Sequence, residues 1–283
     1  MFMQYPTVFD CTEMTAAVNK LPALPVYFRR LFEVKGVKST TVSLDIRKGR
    51  IVLIGDSPRN TAPESLAGRG AKRESMNLSC AHLAMSDTLA PEDLQDVRAF
   101  GSTEPISVAE VYNDKMQQLK DNMTATMEFH RLGAIKGVVL DADGTTVLHD
   151  IFKTFGVTKK TLPILFPKTA ADDANPIQTS ILNAKRHVEA AMGGTPFSHI
   201  ECIIGSDAYD MLTSHVLVRK YFEDWLARKQ DYGNNDYRKR GFTYGGLTFV
   251  ERSDVVGGQT MVAAKKGHVY PVGPGIFKQY HAP

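Results

Sequence analysis

Apolar and polar positions alternate between residues 40 and 46, where Val42, Leu44 and Ile46 are interleaved with Thr41, Ser43 and Asp45. A period of two predicts a half-buried strand. Lys48-Gly49 reads as a turn and residues 50–55 as the returning strand. Pro58 to Arg73 is loop-like, with Pro58, Pro63, Gly68 and Gly70 among Arg59, Arg69, Lys72 and Arg73. Residues 75–84 offer one more weak strand. Residues 37–86 therefore predict a long, thin, two-stranded ribbon, and such a ribbon is marginal in water unless it lies on something else. Ahead of it, residues 1–36 carry Pro6, Pro22 and Pro25 among Phe9, Val26, Tyr27, Phe28, Leu31 and Phe32. Proline denies this stretch a long helix or a central strand. Such a greasy segment needs another surface, either as a strap across its own domain or as an arm on a neighbouring subunit.

Further on, the period changes from two to 3.6. Val108, Val111, Tyr112, Met116, Leu119, Met123 and Met127 recur along one face of a helix predicted over 107–133. Ser107 and Glu110 form a capping box, Ile106 and Val111 a hydrophobic staple, and Gly133 a stop. Asp143-Gly144, between two β-rich runs, predicts a hairpin. Asn175-Pro176 opens a second helix with the stripe Ile177, Ile181, Ala184, Val188 and Met192, and Gly193-Gly194 ends it. Residues 200–204 read as a buried strand, 207–229 as a third helix, 231–246 as a mobile loop, and 247–251 and 260–264 as strands.

The composition is that of an ordinary soluble domain: 283 residues, 43% hydrophobic and 23% charged. With 34 basic against 31 acidic side chains the net charge is +3, and no basic stripe of the kind that grips phosphate backbones stands out. Cys11, Cys80 and Cys202 are far apart and form no C-x-x-C pair, which argues against zinc and redox motifs and fits a reducing compartment. No secretory signal and no apolar run of bilayer length is found. No cofactor is expected.

One catalytic motif invites testing. Val138-Val-Leu-Asp-Ala-Asp-Gly-Thr145 resembles the first motif of haloacid-dehalogenase-type phosphatases, with Asp141 as nucleophile, Asp143 as general acid and base, and magnesium nearby. Ile203 to Asp210 could pass for the family's later acidic motif. Against this, the strand follows 136 residues without a Rossmann-like pattern, and the interval from Asp141 to Asp207 is tight for the rest of such a fold. Apolar runs on both sides of Asp143-Gly144 favour a turn chosen for backbone reasons. No phosphate-binding glycine loop or metal-ligand spacing of histidines occurs.

The order of parts carries a second resemblance. Val97-Arg-Ala-Phe-Gly101 leads into the long helix, which continues through Glu128-Phe-His-Arg-Leu-Gly-Ala-Ile-Lys-Gly137 to Asp141-Ala-Asp-Gly-Thr145 and Ile151-Phe-Lys-Thr-Phe-Gly156. Tyr244-Gly245-Gly246 and the run from Gly267-His268 to Tyr280-His-Ala-Pro283 complete it. Together these resemble the lambda-like major capsid proteins of tailed phages, the protein E family, over about residues 90 to 283; earlier residues match in layout alone.

That resemblance implies an α+β fold of the Hong Kong 97 type. Residues 1–36 would be the N-terminal arm and 37–86 the extended loop. Residues 87–174 would be the peripheral domain, with its spine helix and the 137–157 hairpin. Residues 175–265 would be the axial domain, and 266–283 the return toward the peripheral domain. It implies a structural protein with no catalytic role, assembled in the host cytoplasm as pentamers and hexamers into an icosahedral virion shell. Its partners would be its own copies, portal and scaffolding proteins, a possible decoration protein, and double-stranded DNA held without sequence specificity; no membrane is involved. It also implies a tail beyond Pro283 that finishes the peripheral sheet. Candidate contacts between subunits are Phe28 in the arm, the basic loop residues Arg59, Arg69, Lys72 and Arg73, and Glu128 and Arg131 of the spine. For the basic loop, simple solvation is the equal alternative. A structural subunit of some other assembly also stays open.

Overall fold

The structure is a computed structural model, and it describes residues 26–48, 72–90, 108–167, 175–228 and 237–283. It begins with a 3-10 turn at Phe28–Leu31 that runs into β1 (Phe32–Gly36). β2 (Thr41–Lys48) and β3 (Lys72–Ser79) form an antiparallel ribbon in register from Thr41↔Ser79 to Lys48↔Lys72. The described partner of β2 is thus β3; Ile51 to Gly55, expected to return beside it, lies outside the described residues. Among the described elements the ribbon packs chiefly on itself.

The long helix α1 spans Val108–Lys136. Its expected cap at Ser107 lies outside the described residues. Gly133 does not stop it. A Cβ there would lie 2.9 Å from Val138 O and Val139 Cα, so this glycine lets the chain fold back tightly over the helix. The stop comes four residues later at Gly137, with φ at +89°. β4 (Val138–Leu140) and β5 (Val147–Asp150) then make the expected hairpin, followed by a short helix α2 (Ile151–Phe155) capped by Asp150.

Helix α3 (Pro176–Met192) starts and stops where the caps predict. Asn175 accepts from Gln178 N–H, and Gly193 takes the left-handed conformation. Strand β6 (His199–Ile204) follows. The expected single helix over 207–229 is two helices, α4 (Ser206–Ser214) and α5 (Val216–Arg228). His215 between them is extended; its ring accepts Leu217 N–H at 3.2 Å and reaches Pro167 O at 2.8 Å. A tertiary contact and a local cap together break the helix there. Part of the expected mobile loop is ordered: helix α6 (Tyr237–Arg240) leads into β7 (Phe242–Tyr244), and Gly245-Gly246, both at positive φ, turn it into β8 (Leu247–Glu251). A small hairpin, β9 (Val255–Val256) and β10 (Gln259–Thr260), precedes β11 (Gly267–Val272) and β12 (Phe277–His281).

The fold is α+β. Its centre is a four-stranded mixed sheet in the order β11-β6-β8-β7, with β6 parallel to β8 and the other pairs antiparallel. β6 is covered on both faces, so Ile200 to Ile204 are all buried, Glu201 included. Ile200, Cys202 and Ile204 face a core with Ile177 and Ile181 of α3, Leu212 of α4, Val218 of α5 and Phe249 of β8. Ile203 faces a second core with Leu132 of α1, Phe28, Leu31, Met261, Val262 and Tyr270. β1 lies parallel to β12, pairing Phe32↔Phe277 through Gly36↔His281.

Candidate assembly surfaces

Two buried carboxylates organise the inner face of the chain's first described segment. Glu128, on α1, has no exposed surface. Its Oε2 accepts the backbone N–H groups of Tyr27 (2.9 Å) and Phe28 (2.7 Å), the open amides at the start of the 3-10 turn. Its Oε1 accepts from Arg131 Nη1 at 2.5 Å, and Arg131 Nε donates to Gln279 Oε1 on β12 at 2.7 Å. Glu201, on β6, receives Arg30 Nη2 at 2.6 Å, Tyr270 OH at 2.8 Å, His199 Nε2 at 3.0 Å and Tyr27 OH at 3.3 Å. The Arg252 guanidinium lies 3.9 Å from the centre of the Tyr27 ring.

Protonation states follow from this packing. Burial alone would raise the Glu201 pKa, but hydrogen bonds from Arg30, His199 and Tyr270 hold it below the ordinary carboxylate value. Tyr270 and Tyr27 are raised by burial and by the Glu201 charge. Burial, reinforced by Lys136, Lys159 and Lys266, pushes His268 down to about 4.

Phe28, Glu128 and Arg131 are therefore brought together, but facing inward. They are 1%, 0% and 5% exposed in the single chain. In the single chain their contacts are therefore with their own body. In the single chain, residues 26–36 lie across their own body. Sequence reasoning missed Tyr27, Arg30, Glu201 and Tyr270 as a network. The signal was present: a glutamate inside the buried run Ile-Glu-Cys-Ile-Ile has to be paired.

Of the basic candidates, Lys72 and Arg73 begin β3, opposite Lys48 and Arg47 in the ribbon. Arg59 and Arg69 lie outside the described residues.

Among the described residues, α1 carries a row of exposed apolar side chains. Val108, Tyr112, Met116 and Met123, spaced to share a face, are 56%, 56%, 48% and 41% exposed. Beside this helix runs the extended segment 80–90, tied by Lys115 to Asp87 and Thr88 O and by Asn122 to Met85. Met85 and Leu89 add exposed apolar surface. Contiguous exposed apolar surface is the kind of feature that association buries.

The aspartates of the phosphatase-like motif are spent on a turn. Asp143 Oδ1 accepts the N–H groups of Thr145 and Thr146, both at 2.9 Å, and its Oδ2 accepts their hydroxyls at 2.9 and 2.6 Å. These bonds, led by that of the Thr146 hydroxyl, hold its pKa well below the carboxylate range, so it is a poor proton carrier at neutral pH. Asp141 accepts from the adjacent Ala142 N–H. Among the described residues no cluster of three metal-ligating side chains occurs, and no helix is long and apolar enough to cross a membrane.

Residues 10–283 match the family of the phage major capsid protein E. The chain belongs to that family. It is 25% identical over 262 residues to the major capsid protein of Salmonella phage Felix O1, covering 86% of this chain and 69% of that one. The major capsid protein of Pseudomonas phage KPP10 is 22% identical over 281 residues, covering 95% and 78% respectively. A solved structure, the asymmetric unit of the bacteriophage PhiM1 mature capsid, aligns with a TM-score of 0.43 at 16% identity over 87% of this chain and 72% of the other. The capsid family is structural, and its members build the virion shell from copies of themselves.

Proposed function

We propose that this capsid chain assembles as pentamers and hexamers into an icosahedral shell around double-stranded DNA, on a Hong Kong 97-type plan. Residues 37–86 form the extended loop, 87–174 the peripheral domain, 175–265 the axial domain and 266–283 the return. Residues 26–36 move from the arm to the body. Portal and scaffolding proteins, and a decoration protein where one exists, are partners of the same assembly in the host cytoplasm. Near-neutral charge suits a container that must release its cargo.

One observation carries this proposal: among the described residues the ribbon packs chiefly on itself and one face of α1 keeps exposed apolar side chains. A two-stranded ribbon is marginal alone, and an apolar stripe in water forgoes its burial energy. Both deficits are met when the ribbon of one copy lies over α1 of the next, and many such modest contacts add up in a closed array.

The test is negative-stain microscopy of the purified chain beside a Tyr112→Glu/Met116→Glu variant. Closed shells or capsomer rings are expected from the first. The second should give folded, unassembled protein with an unchanged far-ultraviolet circular dichroism spectrum. A chain that stays monomeric at high concentration, or a variant that assembles as well as the parent, would refute the proposal.

A further inference from the structure

The strap at residues 26–36 is held differently from a core segment. Only Phe28 and Leu31 are buried, while β1 is exposed at four of its five residues. The Glu128 bond to Phe28 N–H is buried, while one polar grip is reachable by water, since the Arg30 side chain is 45% exposed where it meets Glu201. Contacts of this kind exchange with solvent more readily than buried apolar ones.

With the strap lifted, both carboxylates of the receiving surface keep hydrogen-bond partners. If residues 26–31 lift away, Glu128 keeps Arg131, and Arg131 keeps Gln279. Glu201 keeps the Tyr270 hydroxyl and the His199 ring. Glu128 keeps its ion pair, and Glu201 exchanges Arg30 for water while keeping two hydrogen bonds, which limits the large penalty for stranding one partner of a buried ion pair. On leaving, Tyr27 N–H, Phe28 N–H and Arg30 pass to water, which satisfies them. What is lost is the burial of Phe28 and Leu31, the Arg30–Glu201 ion pair, the Arg252–Tyr27 contact and, once β1 follows, the short β1–β12 ladder.

The strap also joins parts far apart in sequence. Glu128 sits on α1, Glu201 on β6, Tyr270 on β11 and Gln279 on β12, and Phe28 packs in the same core as Leu132 of α1 and Ile203 of the sheet. Releasing it removes packing from both helix and sheet at once.

We propose that residues 26–36 are a reversible latch: two carboxylates that keep their own partners catch the turn at Tyr27–Arg30, fix the C-terminal half of α1 against the central sheet, and allow that half to loosen when the turn undocks. This property belongs to the single chain and does not rest on how the shell is built.

Hydrogen exchange of the full-length, unassembled chain, read by mass spectrometry, tests it. The amides of residues 28–36 and of 129–136 should exchange through a shared opening, faster than those of β6. Arg30→Met and Tyr27→Phe weaken the catch without touching its receivers. Each should speed exchange in both segments by the same factor, about tenfold for loss of a charged hydrogen bond, with β6 unchanged. A Glu33→Cys/Lys278→Cys pair, at facing positions of β1 and β12, should slow both segments when oxidised and release them when reduced. Two outcomes overturn the latch. If residues 28–36 exchange only as slowly as β6, the strap is core. If they open while 129–136 stay unchanged in every variant, the strap holds nothing but itself.

Discussion

The two halves of α1 carry one apolar stripe and meet two different fates. From Val108 to Met123 the stripe is largely open, with Val108, Tyr112, Met116 and Met123 all exposed. From Met127 onward the helix is enclosed: Leu132 and Glu128 have no exposed surface, and β4 folds back over Gly133. The buried half even contains the charged pair Glu128–Arg131, while the open half has the more apolar face. Amphipathic period reports that a face is greasy; it does not report what covers it. In the assembly proposed above, another copy covers the exposed half, and the enclosed half serves the stability of the single chain.

The sharpest way to break this contrast is to cut the buried half. Glu128→Ala should destabilise the unassembled chain by about 3–5 kcal/mol, because Arg131 is left as a buried, uncompensated charge. Leu132→Ala follows at about 2–5 kcal/mol for a cavity in a fully enclosed site. Urea denaturation of the unassembled chain measures both, and a loss below about 1 kcal/mol in either would place this half outside the core.

Acid should act next, and on the enclosed side. His268 has a folded pKa of about 4 against an ordinary 6.5. The unfolded chain therefore binds the proton first, so stability present above pH 6.5 is lost as pH falls toward 4. His268→Gln should flatten that limb of the denaturation midpoint. Glu201 is also depressed, so its contribution is present above pH 4.5 and is lost as pH falls through its lower folded value. Glu201→Gln should remove the pH dependence below 4.5 and leave the histidine limb intact. An unchanged pH profile in both variants would relocate the acid sensitivity elsewhere.

The smallest effect belongs to the open half. Tyr112→Ala and Met116→Ala should each change folding stability by less than about 0.5 kcal/mol while lowering the yield of assembled particles. A large loss of stability would show that the stripe is packed within its own chain, and the contrast would disappear.

Local chemistry made much of this fold legible. Asn175-Pro176 and Gly193 bound α3, Asp143-Gly144 turns the hairpin, and the alternation at Thr41–Ile46 marks a strand, because caps, turns and periods act over a few residues. The ordered series of motifs, from Val97 to Pro283, was enough to point to the capsid family.

What only the tertiary structure decided depends on partners distant in the chain. Tyr27 and Phe28 find Glu128 about a hundred residues away, and Arg30 finds Glu201 farther still. Nothing within the proline-rich segment distinguishes a strap from an arm, since both need an apolar surface and only the shape of the whole chain offers one. His215 divides a helix through its contact with Pro167, and β2 takes β3 as its partner across a long insertion. Sequence specifies which faces must be covered; the cover itself is chosen by long-range packing, within the chain for residues 26–36 and left open for the first half of α1.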